Sequence, residues 1–337
     1  MSLAYRHVHV LKGGVQAWTE AGYAIVDRAP VPSLFGRVLV PLDGSPASEA
    51  VLYQAERLLC GRKGEVILFH AWDSGSTDFA SPEEAGAYLR SVEKRLSSGG
   101  CSIRHLVGNG PLEKSLPAAI ASERVSLVAL SSHGRETSAR EPVADVIEGV
   151  LEKSHVPVFV ARAYRPGGLD EVQPAECEAP TIRRILVPLD GSSACEAVMP
   201  YARELGQLLG ALIVILHVRP EERSDPGNFL GSRISGRPSG PVPGENASVD
   251  ERIEYAAKTF SAAGLETMTL NLGGDPGTAI LNFARPSAVD LIAMTTHGRS
   301  GLSKLLLGSV AGKVLKEAIL PTLVVTSDAN APAQCLT

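Results

Sequence analysis

Four short aliphatic runs, Val38–Val40, Val66–Phe69, Leu127–Leu130 and Val158–Val160, are continuous rather than alternating. A strand that is apolar at every position is buried on both faces, as in a parallel sheet covered by helices. A second set follows: Ile185–Val187, Leu212–Leu216, Leu291–Met294 and Leu323–Val325. Between the first two runs of each set the apolar period changes. Val51, Ala55 and Leu58 fall at i, i+4 and i+7, and Val198, Ala202, Leu205 and Leu209 do likewise, which predicts amphipathic helices. Ser45-Pro46, with proline at a first helical position, and Ser193-x-x-Glu196, a capping box, predict where they start. Strand, helix, strand in series implies right-handed crossovers and an α/β fold, here two doubly wound parallel-sheet domains in tandem. Such a sheet takes ligands at the carboxyl ends of its strands, where strand order reverses.

The two sets are copies. Arg37-Val-Leu-Val-Pro-Leu-Asp-Gly-Ser45 returns as Arg184-Ile-Leu-Val-Pro-Leu-Asp-Gly-Ser192, an offset of 190 − 43 = 147 between the aspartates. His70 and His217 keep that offset, whereas Ser132-His133-Gly134-Arg135 and Thr296-His297-Gly298-Arg299 are 164 apart, as are Pro157 and Pro321. The second copy therefore carries 164 − 147 = 17 extra residues. They fall in 220–248, where 10 of the 25 positions from Pro220 to Gly244 are Gly or Pro, and a mobile surface loop is expected. The expected boundaries are 35–163 for the first domain, 164–181 for an exposed linker, 182–327 for the second domain and 328–337 for a loose tail.

Composition narrows the function classes. The 337 residues carry 32 Lys plus Arg against 37 Asp plus Glu, so the net charge is −5, which argues against a general nucleic-acid binder. Five cysteines (Cys60, Cys101, Cys177, Cys195, Cys335) make no C-x-x-C pair, which fits reduced thiols and a soluble cytoplasmic protein. No stretch has the length and apolarity of a membrane span. Cys60 and Cys195 read as small hydrophobes inside helices.

The chemistry concentrates after Leu291–Met294. The run passes into Thr295-Thr296-His297-Gly298, nine residues follow, and Gly308-Ser309-Val310 opens a helix. Free amides at a helix start, with the positive end of the helix dipole, form an anion site. Gly308 lets the backbone approach a phosphate, Ser309 adds a hydroxyl, and Gly298 and Gly301 let the loop curl into a nest of N–H groups. In the first copy, Ala144-Asp145 stands where Gly308-Ser309 stands in the second. A carboxylate there satisfies the amides itself and repels phosphate, so this half is expected to be closed. Glu136-Thr137 likewise replaces Ser300-Gly301. His133 and His297 read as turn residues, and His70 and His217 as strand ends. Gly308-Ser-Val-Ala-Gly312-Lys313 is too short for a phosphate-binding loop of the Walker type. No catalytic constellation or metal-ligand spacing is assembled.

Val-Pro-Leu-Asp-Gly-Ser after the first strand, with Thr-His-Gly-Arg-Ser-Gly and then Leu-Leu-Gly-Ser-Val, resembles the universal stress protein family over both copies. The resemblance implies a Rossmann-like fold of the adenine nucleotide alpha hydrolase type. Its ATP-binding members carry G-x2-G-x9-G-[ST]; here Thr295 takes the place of the first glycine. Carried across, the nucleotide site would use Pro188, Leu189, Asp190 and Gly191 after the first strand and Val218 after the second. Thr295, Gly298 and Gly301 would lie in the loop, and Gly308, Ser309 and Val310 at the helix start. Asp190 would accept from ribose hydroxyls, Val218 would wall the base, and ATP would arrive with Mg²⁺ on its phosphates. The resemblance also implies pairing of the two last strands, Val158–Val160 with Leu323–Val325, and leaves a homodimer open. The function implied is a nucleotide-dependent stress-response module; a nucleotide-free scaffold and a slow ATPase or phosphotransferase are the alternatives.

Residues 6–26, with Leu-x-Gly-Gly-x-x-x-Trp-x-x-Ala-Gly spacing around Gly13, Gly14, Trp18 and Gly22, resemble the carboxy-terminal end of a rhodanese domain, a remnant placed at 1–30. That family's sulfur-carrying cysteine has no counterpart before Cys60, so sulfurtransferase activity is not expected.

Overall fold

The computed structural model describes residues 33–59, 64–75, 78–96, 101–132, 142–154, 156–161, 182–219, 232–233, 243–244, 247–285, 287–296 and 307–327. The rhodanese-like fragment, the linker and the tail lie outside these residues. The first copy runs β1 (Arg37–Pro41), α1 (Pro46–Glu49), α2 (Leu52–Leu59), β2 (Glu65–Trp72), α3 (Pro82–Leu96), β3 (Ser102–Asn109), α4 (Leu112–Ser122), β4 (Leu127–Ser131), α5 (Pro142–Ser154) and β5 (Val158–Ala161). The second runs β6 (Arg184–Pro188), a 3-10 turn (Ala194–Val198), α6 (Met199–Leu209), β7 (Leu212–Arg219), β8 (Ser232–Arg233), α7 (Val249–Ala262), β9 (Thr267–Gly273), α8 (Pro276–Ala284), β10 (Leu291–Thr295), α9 (Ser309–Glu317) and β11 (Thr322–Val325).

The described strands form one sheet in the order β3-β2-β1-β4-β5-β11-β10-β6-β7-β9-β8. Within each copy the five main strands are parallel. Strand order reverses between β1 and β4 and again between β6 and β10, so each copy has one crevice at its carboxyl edge. The copies join through an antiparallel pair, with Thr322 opposite Val160, Leu323 opposite Phe159 and Val324 opposite Val158. This is the last-strand pairing that the resemblance implied.

Each aliphatic run lies inside a strand, and β4, β5, β10 and β11 are buried at every position. One apolar cluster continues through both copies, from Val38 and Leu68 through Phe159 and Leu323 to Ile185 and Ile213. The opposite face divides into a cluster for each copy, although Leu307, Leu315 and Val324 of the second copy join the cluster of the first. Glu204 of α6 adds a polar tie: its carboxylate accepts from the Ser33 hydroxyl and, at 2.9 Å, from the Leu34 amide. Beside it Phe35 meets Tyr201 edge to face, with ring centroids 6.1 Å apart.

Four features differ from expectation. No run announced β3 or β9, because Ser-Ile-Arg-His-Leu-Val-Gly-Asn and Thr-Met-Thr-Leu-Asn-Leu-Gly mix polar with apolar residues at less buried positions of the sheet. The insertion is not wholly loop: Ser232–Arg233 pairs antiparallel with Met268 and Thr269 and covers the outer edge of β9. The Ser193–Glu196 capping box does not form. Ser193 is itself helical and caps nothing; Ser192 takes that part by accepting from the Cys195 amide at 3.3 Å. Finally, the first helix breaks at Ala50 into α1 and α2. Its proline start is as expected, with the Ser45 hydroxyl accepting from the Ser48 amide.

Candidate functional site

The carboxyl edge of the second copy is built from three turns. After β6, the Leu189 amide donates to the Leu216 carbonyl at 2.9 Å, and His217 Nδ1 meets the Leu189 carbonyl at 2.8 Å. Asp190 Oδ1 accepts from the Ser192 amide at 2.9 Å, an Asx turn that holds the carboxylate at the mouth of the crevice. Gly191 completes the turn at φ 78°, where a Cβ would stand 2.6 Å from Val249 Cγ1 and 3.0 Å from Val249 Cα. Glycine is required there for conformation and for space. His217 is buried and its Nδ1 is committed to a backbone carbonyl; His70 does the same for Leu42 at 2.7 Å. Neither is set up as a metal ligand or base through that atom.

Gly264 also has positive φ, at 83°, but nothing lies within 4 Å of its missing Cβ. The pair separates strain from collision. Gly264→Ala should cost about 1–2 kcal/mol, the ordinary left-handed penalty. Gly191→Ala should cost clearly more, because helix backbone must also move. Thermal melts of both variants check this, and equal losses would mean that α7 yields freely.

The third turn follows β10. Thr295 and Thr296 are buried, and the Thr296 amide donates to the Val325 carbonyl at 2.9 Å. The chain returns at Leu307, and the Gly308 amide donates to the Thr296 carbonyl at 2.9 Å, so the start of α9 is tied to the end of β10. Gly308 is the residue before the helix, extended at φ −60° and ψ 158°, and no side chain caps it. The first helical bond is Gly312 N–H to the Gly308 carbonyl at 2.8 Å. Among the described residues, no acceptor meets the amides of Ser309, Val310 and Ala311. No acidic residue stands in the first turn. Helix starts elsewhere differ: Ser248 and Glu251 form a capping box on α7 and Asp275 accepts from the Thr278 amide on α8, whereas α4 and α6, like α9, have no side-chain cap. Among the described residues, then, nothing spends the positive dipole end of α9, which lies at the carboxyl edge beside the crevice.

Of the residues proposed from sequence, Pro188, Leu189, Asp190, Gly191, Val218, Thr295, Gly308, Ser309 and Val310 all lie at this one edge, at strand ends or the helix start beside them. Val218 is half-buried near the end of β7. Gly298 and Gly301, with His297, Arg299 and Lys304, lie outside the described residues, as do His133 and Gly134. Lys313 does not turn to the crevice: its Nζ contacts Asp275 Oδ2 at 3.1 Å and Thr278 Oγ1 at 2.6 Å. Hydrogen bonds from Thr278, then Lys313, hold the Asp275 carboxyl down at about 2. Burial, aided by the Asp190 charge, pushes the Cys195 thiol up to about 12, so it is an inert packing group.

The first copy departs at the helix. Its α5 begins at Pro142, three residues before the position equivalent to Ser309 (309 − 164 = 145). Asp145 is therefore the fourth residue of α5 and not, as the sequence implied, the residue that opens it. At 1.5 Å per residue the helix is about 4.5 Å longer at its amino end than α9. Proline at its first position also removes one donor. Beyond β2, Phe79 folds back with its ring edge-on to His70 at 4.9 Å and stacked on Tyr88 at 5.3 Å.

One tie was not foreseen. Arg252 of α7 is buried and donates to Glu196 Oε1 at 2.6 Å and to the Gly244 carbonyl at 2.8 Å, joining the 3-10 turn after Asp190 to the end of the insertion. In the first copy Tyr88, at the equivalent position (252 − 164 = 88), donates to Glu49 Oε1 at 2.8 Å, and Glu49 is the equivalent of Glu196 (196 − 147 = 49). The constant part is the acid four residues after the serine of Asp-Gly-Ser; the shared 147 spacing was the signal for it.

Comparison with known proteins agrees with this architecture. The model of the universal stress protein family matches residues 34–162 and 181–326. Two universal stress proteins of Methanocaldococcus jannaschii are 28% identical over 158 residues and 31% identical over 145. Each alignment covers 42% of this chain, and 94% and 81% of the relative, as one copy would. Among solved structures, a universal stress protein from Archaeoglobus fulgidus aligns with a TM-score of 0.58 at 20% identity, covering 87% of this chain and 98% of its own. A putative universal stress protein from Pseudomonas aeruginosa aligns with a TM-score of 0.58 at 16% identity, covering 86% and 93%. At these identities the structures speak for the fold alone. Among the described residues no helix is long and apolar enough to cross a membrane.

Proposed function

The chain belongs to the universal stress protein family, and from that premise we propose that its second copy binds ATP while its first copy does not, making the molecule a one-site nucleotide-dependent module. The observation that carries this reading is the uncapped start of α9 beside the crevice between β6 and β10. Its amides donate to the phosphates, and each such charge-assisted bond is worth about 1.5–3 kcal/mol. Asp190, steadied by the Ser192 amide, accepts from the ribose hydroxyls; Val218 offers an apolar wall to the base. Thr295 stands where a glycine would leave more room. Its side chain narrows the floor of the site and makes the position of the phosphates more exacting. Magnesium in this reading comes on the nucleotide, since among the described residues no group of three His, Cys, Asp or Glu is arranged to hold a metal.

Titration calorimetry of the full chain with ATP and Mg²⁺ tests the reading. Binding of one nucleotide per chain is expected. Two per chain would overturn the closed first copy, and none would leave the uncapped helix as an ordinary surface feature.

A further inference from the structure

The opposite, amino edge of the second copy holds a cavity of about 390 Å³ lined by Arg183, Arg184, Ala288 and Asp290. It lies where β6 and β10 begin, at the other end of the strands from the nucleotide crevice. The first copy shows what this place looks like when it is internally neutralised. There Arg37, the equivalent of Arg184, pairs with Glu65 at 3.3 Å, and Arg104 pairs with Glu65 at 2.8 Å and with Glu123 at 2.5 Å. Two bonds correspond between the copies. The Arg37 amide donates to Ser126 Oγ at 2.9 Å and its guanidinium to the Glu123 carbonyl at 2.7 Å. The Arg184 amide donates to Asp290 Oδ2 at 2.9 Å and its guanidinium to the Ser287 carbonyl at 2.8 Å. Both copies turn on a non-glycine residue at positive φ, Arg124 at 51° and Ala288 at 50°.

Charge is what differs. By the offsets of 147 and 164, Leu212 replaces Glu65 and Ser287 replaces Glu123, so both acids of the first copy are gone. Arg183 appears where the first copy has Gly36, adding a cation. Asp290 Oδ2 is committed to two backbone amides, those of Arg183 at 2.7 Å and Arg184 at 2.9 Å. Among the described residues the Arg183 guanidinium has no partner. Glu266 directly precedes β9 and Arg285 directly follows α8, one further charge of each sign outside the cavity's lining.

We infer that this cavity is an oxyanion site, taking the phosphoryl or carboxylate group of a small molecule between Arg183 and Arg184. Among the described residues neither guanidinium pairs with a carboxylate, Asp290 being held by backbone amides, and an oxyanion offers them charge-assisted acceptors. The inference is independent of the nucleotide reading, because the cavity lies at the opposite edge and shares no residue with the crevice.

The test uses the full chain carrying Gly308→Asp, so that α9 offers no anion site, with inorganic phosphate and succinate as separate probes at ionic strength held constant with chloride. Saturable binding of at least one probe is expected, and which one binds tells a phosphoryl from a carboxylate ligand. Adding Arg183→Gln should weaken it roughly fivefold to tenfold, the loss of one exposed charge-assisted contact. Arg184 is left intact because it also holds the Ser287 carbonyl. Equal affinity with and without Arg183, binding of neither probe, or a response that chloride reproduces (an adventitious ion only) would overturn the inference.

Discussion

Gly308→Asp is expected to weaken ATP binding roughly a hundredfold or more while leaving the protein as stable as before or slightly more so. The two effects have one cause. Gly308 already has the extended conformation of a residue that precedes a helix, at φ −60° and ψ 158°, and aspartate adopts it without strain. Its carboxylate accepts from the amides of the first turn, as that of Asp275 does on α8. Aspartate is a better cap than glycine by a few tenths of a kcal/mol, so the melting temperature rises or holds. The same carboxylate occupies the donors that the phosphates need and places negative charge beside them. Losing two charge-assisted bonds at about 1.5–3 kcal/mol each weakens binding by roughly a hundredfold or more. A variant that loses affinity together with stability would point to misfolding; one that keeps its affinity would show that α9 is not where the phosphates sit. Adding Ser309→Ala to it removes the hydroxyl donor and should not restore binding.

Phe159→Ala is the substitution with the largest expected effect on folding. Phe159 is wholly buried in β5, pairs with Ala129 of β4 on one side and Leu323 of β11 on the other, and sits in the apolar cluster common to both copies. Truncation leaves a cavity at the seam that neither copy can collapse without moving the antiparallel pair. A loss of about 3–5 kcal/mol is expected, a large fraction of the roughly 5–15 kcal/mol that stabilises an ordinary domain. Because the cluster runs through both copies, denaturant unfolding should remain one transition that moves as a whole. Two separated transitions, with only one displaced, would mean that the copies fold independently and that the β5–β11 pair is a weak contact.

The physical origin of these features explains what the sequence discloses. Buried parallel strands such as Leu127–Ser131 and Leu291–Thr295 are legible because both of their faces must be apolar. The less buried strands β3 and β9 are not, because one polar face is enough to hide them among loops. The duplication is visible as a repeated nonapeptide, and through it both crevices can be placed. Helix starts are less legible. Ser193-x-x-Glu196 has the pattern of a capping box, yet Ser192, one residue earlier, does the capping, and Glu196 goes to Arg252 instead. Position-by-position comparison of the copies likewise predicted that Asp145 opens α5, whereas Pro142 does. An offset shows which residues correspond but not how far a helix extends. The amino-edge contrast between Arg37 with Glu65 and Arg184 with Leu212 was open to inspection in the sequence, but its meaning depends on knowing that these positions are neighbours across β1–β2 and β6–β7.

The most direct measurement is a crystal structure of the full chain with a non-hydrolysable ATP analogue and Mg²⁺. A single nucleotide is expected at the carboxyl edge of the second copy, its phosphates within hydrogen-bond reach of the Ser309 and Val310 amides and its ribose at Asp190. Nucleotide seated in the first copy, or phosphates in the second copy that leave those amides untouched, would contradict that expectation.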